Sequence, residues 1–135
     1  MNEGKKKILI IEDDLPMLKA LSDTFTNLDF FVTTARDGEE GLRFALKTIP
    51  DVILLDILMP RMDGMTMLKR LRQDTWGKTV PVIILTNVNP ESNETLYDVT
   101  ETAPAYYLIK TDTTLDGIVE KVKEVLKIDE PVKEV

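Results

Sequence analysis

Four short apolar runs in the chain each end in a polar residue of a different kind. Ile8-Leu9-Ile10-Ile11 leads into Glu12-Asp13-Asp14, Val52-Ile53-Leu54-Leu55 into Asp56, Val82-Ile83-Ile84-Leu85 into Thr86, and Tyr107-Leu108-Ile109 into Lys110. Short runs rich in Ile, Val and Leu suit strands of a parallel sheet buried on both faces. If they lie in one such sheet, their carboxyl-terminal ends share a single rim. An acid cluster, a lone carboxylate, a hydroxyl and an ammonium then meet there. That set can bind a divalent cation and stabilise a phosphoryl group on Asp56.

The segments between the runs carry helical periodicity. Leu18, Leu21, Phe25 and Leu28 repeat at helical spacing behind Pro16, which a first helical turn tolerates. Phe30 to Ala35 predicts a second strand, mixed in polarity and so at an edge. Asp37-Gly38-Glu39-Glu40 opens a helix with Leu42, Ala45, Leu46 and Ile49 on one face, stopped by Pro50-Asp51. The proline and glycine of Met59-Pro60-Arg61-Met62-Asp63-Gly64 mark a loop. Met65, Leu68 and Leu71 predict a third helix ending near Trp76-Gly77. The stripe of Leu96, Val99 and Ala103 predicts a marginal fourth helix over Glu91 to Thr102. Ala105 to Ile109 predicts the fifth strand. Leu115, Ile118, Val119, Val122, Val125 and Leu126 predict the last helix.

Strands alternating with helices predict an α/β domain: a doubly wound, five-stranded parallel sheet with helices on both faces. The domain is expected over residues 5–128, with 129–135 a polar tail or the start of a linker. Ligands of such sheets bind beyond the carboxyl ends of the strands, where the strand order reverses. That rule places the site at the rim described above.

Composition narrows the chemistry. The formal net charge is -7, which disfavours contact with nucleic acid phosphates. There is no cysteine and no histidine, which excludes disulfides, thiolate metal sites, Ser-His triads and imidazole catalysis from within the chain. Any histidine chemistry must come from a partner. The first apolar run is too short for a signal peptide or a membrane span, which points to the cytoplasm and away from membranes.

Asp56, taken alone, reads equally as a residue capping the next turn or as a reactive carboxylate. Asp14 before Leu15-Pro16 reads as a helix N-cap. Glu12 and Asp13 belong to the strand end, where neighbouring carboxylates repel unless a cation intervenes. An all-oxygen set suits Mg²⁺, with Asp13, a carboxylate oxygen of Asp56 and the backbone carbonyl of Leu58 as ligands and Glu12 acting through water. Thr86 alone reads more readily as a β-branched strand residue than as a hydroxyl donor. Lys110, facing an acid cluster, reads as its counter-ion.

With these stretches in this order, the chain resembles the receiver domain of two-component response regulators over roughly Lys5 to Lys127. The resemblance implies a flavodoxin-like fold with strand order 2-1-3-4-5. It implies that Asp56 takes a phosphoryl group from the phosphohistidine of a histidine kinase or phosphotransfer protein. In this family's pattern Glu12 and Asp13 match the acidic pair, Thr86 the switch hydroxyl, Lys110 the invariant lysine and Tyr107 the aromatic switch position, with Tyr106 as a rival for the last. Phosphorylation is then expected to switch the surface of the fourth helix, fifth strand and fifth helix toward a downstream protein, in a monomer or weak homodimer. The domain would catalyse its own aspartyl phosphorylation and dephosphorylation and no independent reaction.

The chain departs from the family at Thr111, where proline with a cis bond is usual, at Asn87, where a small residue is usual, and at Ala103-Pro104. A trans bond to Thr111 and an unusual output surface are expected. Apolar Leu58 and Val88 predict slow autodephosphorylation. The alternatives are a degenerate receiver acting as a phosphorylation-independent interaction module, a flavin-binding electron carrier and a haloacid-dehalogenase-type phosphatase. Glu12-Asp13-Asp14 would repel a flavin phosphate, and Leu58 stands where the phosphatase needs a second aspartate.

Overall fold

The computed structural model describes residues 4–89 and 99–128. Its elements are β1 (Lys7–Ile11), α1 (Leu15–Asn27), β2 (Phe31–Ala35), α2 (Gly38–Thr48), β3 (Val52–Leu55), α3 (Gly64–Leu71), β4 (Val82–Thr86), β5 (Tyr106–Ile109) and α4 (Leu115–Leu126). The strands form one sheet in the order β2-β1-β3-β4-β5, parallel throughout. This is the flavodoxin-like arrangement.

Side-chain alternation divides the core between the two faces of the sheet. Leu9, Ile11, Ile53, Leu55, Val82 and Ile84 pack with Ala45 of α2 and Met67, Leu68 and Leu71 of α3. Ile8, Ile10, Val52, Leu54, Ile83 and Leu85 pack with Leu18, Leu21 and Phe25 of α1 and Ile118 and Val122 of α4. The central strands are buried at every position, which is why their sequences run apolar without alternation. Side-chain oxygens of Asp14, Asp37, Asp63 and Thr114 cap α1, α2, α3 and α4 in turn by accepting a backbone N–H of the first turn.

Several expectations need correction. Helix α3 stops at Leu71, short of Trp76-Gly77, because the Asp74 carboxylate accepts the N–H groups of Trp76 (3.0 Å) and Gly77 (3.1 Å) and starts a separate 3-10 turn at Trp76–Lys78. Leu46 and Ile49 are 41% and 44% exposed rather than core-facing. Ile49 takes a left-handed φ of 50° as the C-cap of α2, and Pro50 behind it bars further helix. Strand β5 is half-buried along its length, as an edge strand, rather than buried. Thr86 is the last residue of β4 rather than the first beyond it. Of the expected fourth helix, residues 99–102 are helical and 91–98 lie outside the described residues, as does the tail 129–135.

Candidate functional site

The chain passes from β1 outward to β2 and then returns across β1 to β3, so the strand order reverses at β1. The ends of β1 and β3 therefore splay around a crevice at the carboxyl rim. The Asp56 N–H donates to the Ile11 carbonyl at 3.0 Å, and the Glu12 N–H to the Ala35 carbonyl at 2.9 Å. These bonds carry the sheet's pairing up to the two acidic residues. Their side chains are nearly closed off from solvent, with Glu12 2% and Asp56 5% exposed. Asp13 is more open. One carboxylate oxygen from each of Glu12, Asp13 and Asp56 lies within 4.8 Å of the other two.

Lys110 enters this crevice from the end of β5. Its Nζ lies 2.9 Å from Glu12 Oε1 and 3.1 Å from Asp56 Oδ2. Burial pushes the Glu12 carboxyl up from 4.5 to about 7; the Asp56 charge adds to this, while the Lys110 and Asp14 hydrogen bonds oppose it. Burial works against the Lys110 ammonium, but its hydrogen bonds to Glu12 and Asp56 and their charges outweigh it. The net effect holds the lysine above its ordinary value. Three crowded carboxylates facing one amine leave a surplus of negative charge, with oxygen donors converging where a hard cation fits.

The remaining side chains take defined places. Asp14 leaves the cluster to cap α1, accepting the Met17 N–H at 3.3 Å. Asp56 Oδ1 accepts the Leu58 N–H at 3.3 Å, so capping and cluster roles coexist in one carboxylate. Thr86 is fully buried and its Oγ1 accepts the Val88 N–H at 3.4 Å. The Tyr107 hydroxyl donates to the Val88 carbonyl at 2.7 Å, and Tyr107 packs on the core face shared with Ile11 and Leu55. Tyr106 turns to the opposite face, where its hydroxyl donates to Glu124 at 2.7 Å. Alternation along β5 thus separates the two tyrosines that sequence left as rivals. The bond to Thr111 is trans.

Three features of the site were not anticipated. A Cβ on Gly64 would collide with the Asp56 carbonyl oxygen, so α3 starts flush against the residue after β3 only because position 64 has no side chain. Arg61 Nε donates to Asp37 at 2.8 Å, strapping the loop after β3 to the start of α2. Asn87 Oδ1 accepts the Thr111 N–H at 3.1 Å. The glycine at a helix start was a readable signal for the first; the two pairings had none.

Comparison with known proteins agrees with this geometry. The family model described as "Response regulator receiver domain" matches residues 8–123. The chain is 40% identical over 84 residues to the "Probable transcriptional regulator ycf27" of Guillardia theta, covering 62% of this chain and 32% of that protein. The chain spans about a third or less of the first curated relatives it matches. The chemotaxis response regulator CheY4 of Vibrio cholerae superposes with a TM-score of 0.79 at 27% identity, over 90% of this chain and 98% of that one. The BeF3-activated receiver domain of RstA from Klebsiella pneumoniae superposes with a TM-score of 0.78 at 25% identity, over 90% and 99%. Among the described residues no helix is long and apolar enough to cross a membrane. With the sheet order, the rim of acids and lysine and the family match in agreement, the chain belongs to the response regulator receiver domain family of two-component signalling.

Proposed function

We propose that Asp56 is the phosphoryl acceptor, loaded from the phosphohistidine of a sensor histidine kinase or phosphotransfer protein. The observation that carries this reading is the position of Lys110 Nζ, 3.1 Å from Asp56 Oδ2 and 2.9 Å from Glu12 Oε1, beside an acid cluster in which Glu12 and Asp56 are nearly buried and Asp13 is more open. An Asp56 oxygen attacks the phosphorus. The new O–P bond forms as the P–N bond to the partner's imidazole breaks, and the imidazole nitrogen keeps the bonding pair. Such transfers depend on positioning and on neutralising the equatorial oxygens.

The donor set fits Mg²⁺: Asp13, an oxygen of Asp56 and the carbonyl of Leu58 would hold it, with Glu12 acting through water. When bound, the ion neutralises charge on the acceptor and the incoming group. Lys110 is already placed to pair with a phosphoryl oxygen, and Thr86 has a hydroxyl proton to donate to another. Drawing Thr86 inward would disturb its turn with Val88, and with it the Tyr107 hydroxyl bound to Val88. In this way Thr86 and Tyr107 switch the surface made by residues 99–102, β5 and α4 toward a downstream protein target. The domain, residues 5–128, works in the cytoplasm on these terms. The acid cluster with its lysine counter-ion supports this over a phosphorylation-independent interaction module, which has no use for such a site.

Mass spectrometry after incubation with acetyl phosphate and Mg²⁺ tests the reading. The parent is expected to gain one phosphoryl group and Asp56→Asn none. An unmodified parent, or equal labelling of the variant, overturns it.

A further inference from the structure

The β4–β5 ladder ends where Thr86 pairs with Ile109. One step beyond that end, the Asn87 side chain takes over from the backbone by accepting the Thr111 N–H at 3.1 Å. Asn87 follows Thr86 directly, and Thr111 follows Lys110 within the 3-10 turn Lys110–Asp112. The bond therefore joins the residues adjoining the two side chains proposed to receive phosphoryl oxygens. Thr113 braces the same turn onto its own strand, through its N–H to the Lys110 carbonyl (3.3 Å) and its hydroxyl to the Ile109 carbonyl (2.9 Å). Asn87 braces it sideways onto β4.

Both Asn87 and Thr111 are exposed, so water could satisfy their polar groups equally well and burial does not require the bond. Its effect lies in geometry. The Lys110 side chain is a flexible stem whose reach to Asp56 depends on where its turn sits, and small misplacements of a group that binds a transferring phosphoryl are costly.

We propose that Asn87 is a positioning residue for phosphoryl binding at Asp56. Through the Thr111 amide it ties the strand end bearing the Thr86 hydroxyl to the turn bearing the Lys110 ammonium, so the two groups meet the phosphoryl group as one unit. This rests on Asp56 being the acceptor.

The test is the affinity of the full chain for beryllofluoride with Mg²⁺, a stable mimic of a phosphorylated carboxylate, in the parent, Asn87→Ala, Thr111→Pro and the double variant. Asn87→Ala is expected to weaken beryllofluoride binding roughly three- to tenfold, the range one ordinary hydrogen bond supports. Mg²⁺ affinity should not move, because the substitution leaves the acid cluster intact, and the urea midpoint should fall by no more than one such bond allows. Thr111→Pro removes the donor and also strains the turn, since the residue before proline avoids helical geometry. The decisive comparison is that Asn87→Ala has no further effect in the Thr111→Pro background. By NMR, the Thr111 amide should lose exchange protection in Asn87→Ala and keep it in Asn87→Asp, which retains the accepting oxygen. Equal beryllofluoride affinity in parent and Asn87→Ala, or an undiminished loss in the Thr111→Pro background, overturns the proposal and leaves Asp56 as acceptor untouched. A parent that binds no beryllofluoride overturns both.

Discussion

At Asp56 and Thr86 the local structural role that sequence offered is present, and it leaves each side chain at the rim. The Asp56 carboxylate caps the Leu58 N–H and also belongs to the acid cluster. Thr86 is a buried strand residue and also holds a hydroxyl at the rim. A short polar side chain at a strand end can do both because its backbone and side chain bond in different directions. With Asp56 as the proposed phosphoryl acceptor, the residues two positions further on are expected to set the lifetime of the phosphorylated state. Leu58 is 64% exposed and offers no polar side-chain atom, and the Val88 carbonyl is occupied by the Tyr107 hydroxyl at 2.7 Å. Neither side chain can orient an attacking water by hydrogen bonding. After the phosphodonor is removed, the phosphorylated form is expected to persist for minutes or longer, and Leu58→Gln to shorten it several-fold. Turnover of the parent within seconds contradicts this.

At the scale of elements, the site depends on loops held from behind. Asp37 caps α2 by accepting the Glu40 N–H at 2.8 Å and also receives Arg61 from the loop after β3. The Glu40 N–H, with Arg61 beside it, outweighs burial and holds the Asp37 carboxyl below its ordinary 3.8. A folded-state value lowered in this way contributes stability above the ordinary value, lost as pH falls through the lowered one. Asp37→Ala is expected to cost about 1 kcal/mol at pH 7, as the loss of an N-cap does. The gap between variant and parent should close in acid, below the ordinary value of 3.8. Urea midpoints measured across that range check this, and a gap independent of pH counts against it. The cap was legible, because Asp37-Gly38-Glu39-Glu40 is a local helix-opening pattern. Its second partner was not, since Arg61 is 24 residues away and reaches Asp37 only once both loops are in place. The end of α3 was missed for a related reason: the apolar periodicity of Met65, Leu68 and Leu71 says where a helix packs, while the Asp74 side chain decides where it stops.

For the molecule as a whole, the proposed cation site couples to stability, because Glu12, Asp13 and Asp56 come together only in the folded chain. A ligand that binds only the folded state adds stability as its concentration rises, about 2.7 kcal/mol at a hundredfold excess over its dissociation constant. Mg²⁺ is expected to raise the urea midpoint of the parent relative to protein in EDTA, and Asp13→Asn to abolish most of that gain. A parent insensitive to Mg²⁺ argues against the site. The four strand-end runs, the alternation of strand and helix, and the identity of the polar residues at each end were all readable from the chain, because they are patterns within a few neighbouring residues. Lys110 and Glu12, 98 positions apart, could be named as partners because parallel strands must bring their carboxyl ends to one rim. The separate partners of Tyr107 and Tyr106, the close seat of Gly64 on Asp56 and the bond from Thr111 to Asn87 came only from the packed structure. Each depends on which atoms meet when strands, loops and helix starts pack together, and local periodicity carries no information on that.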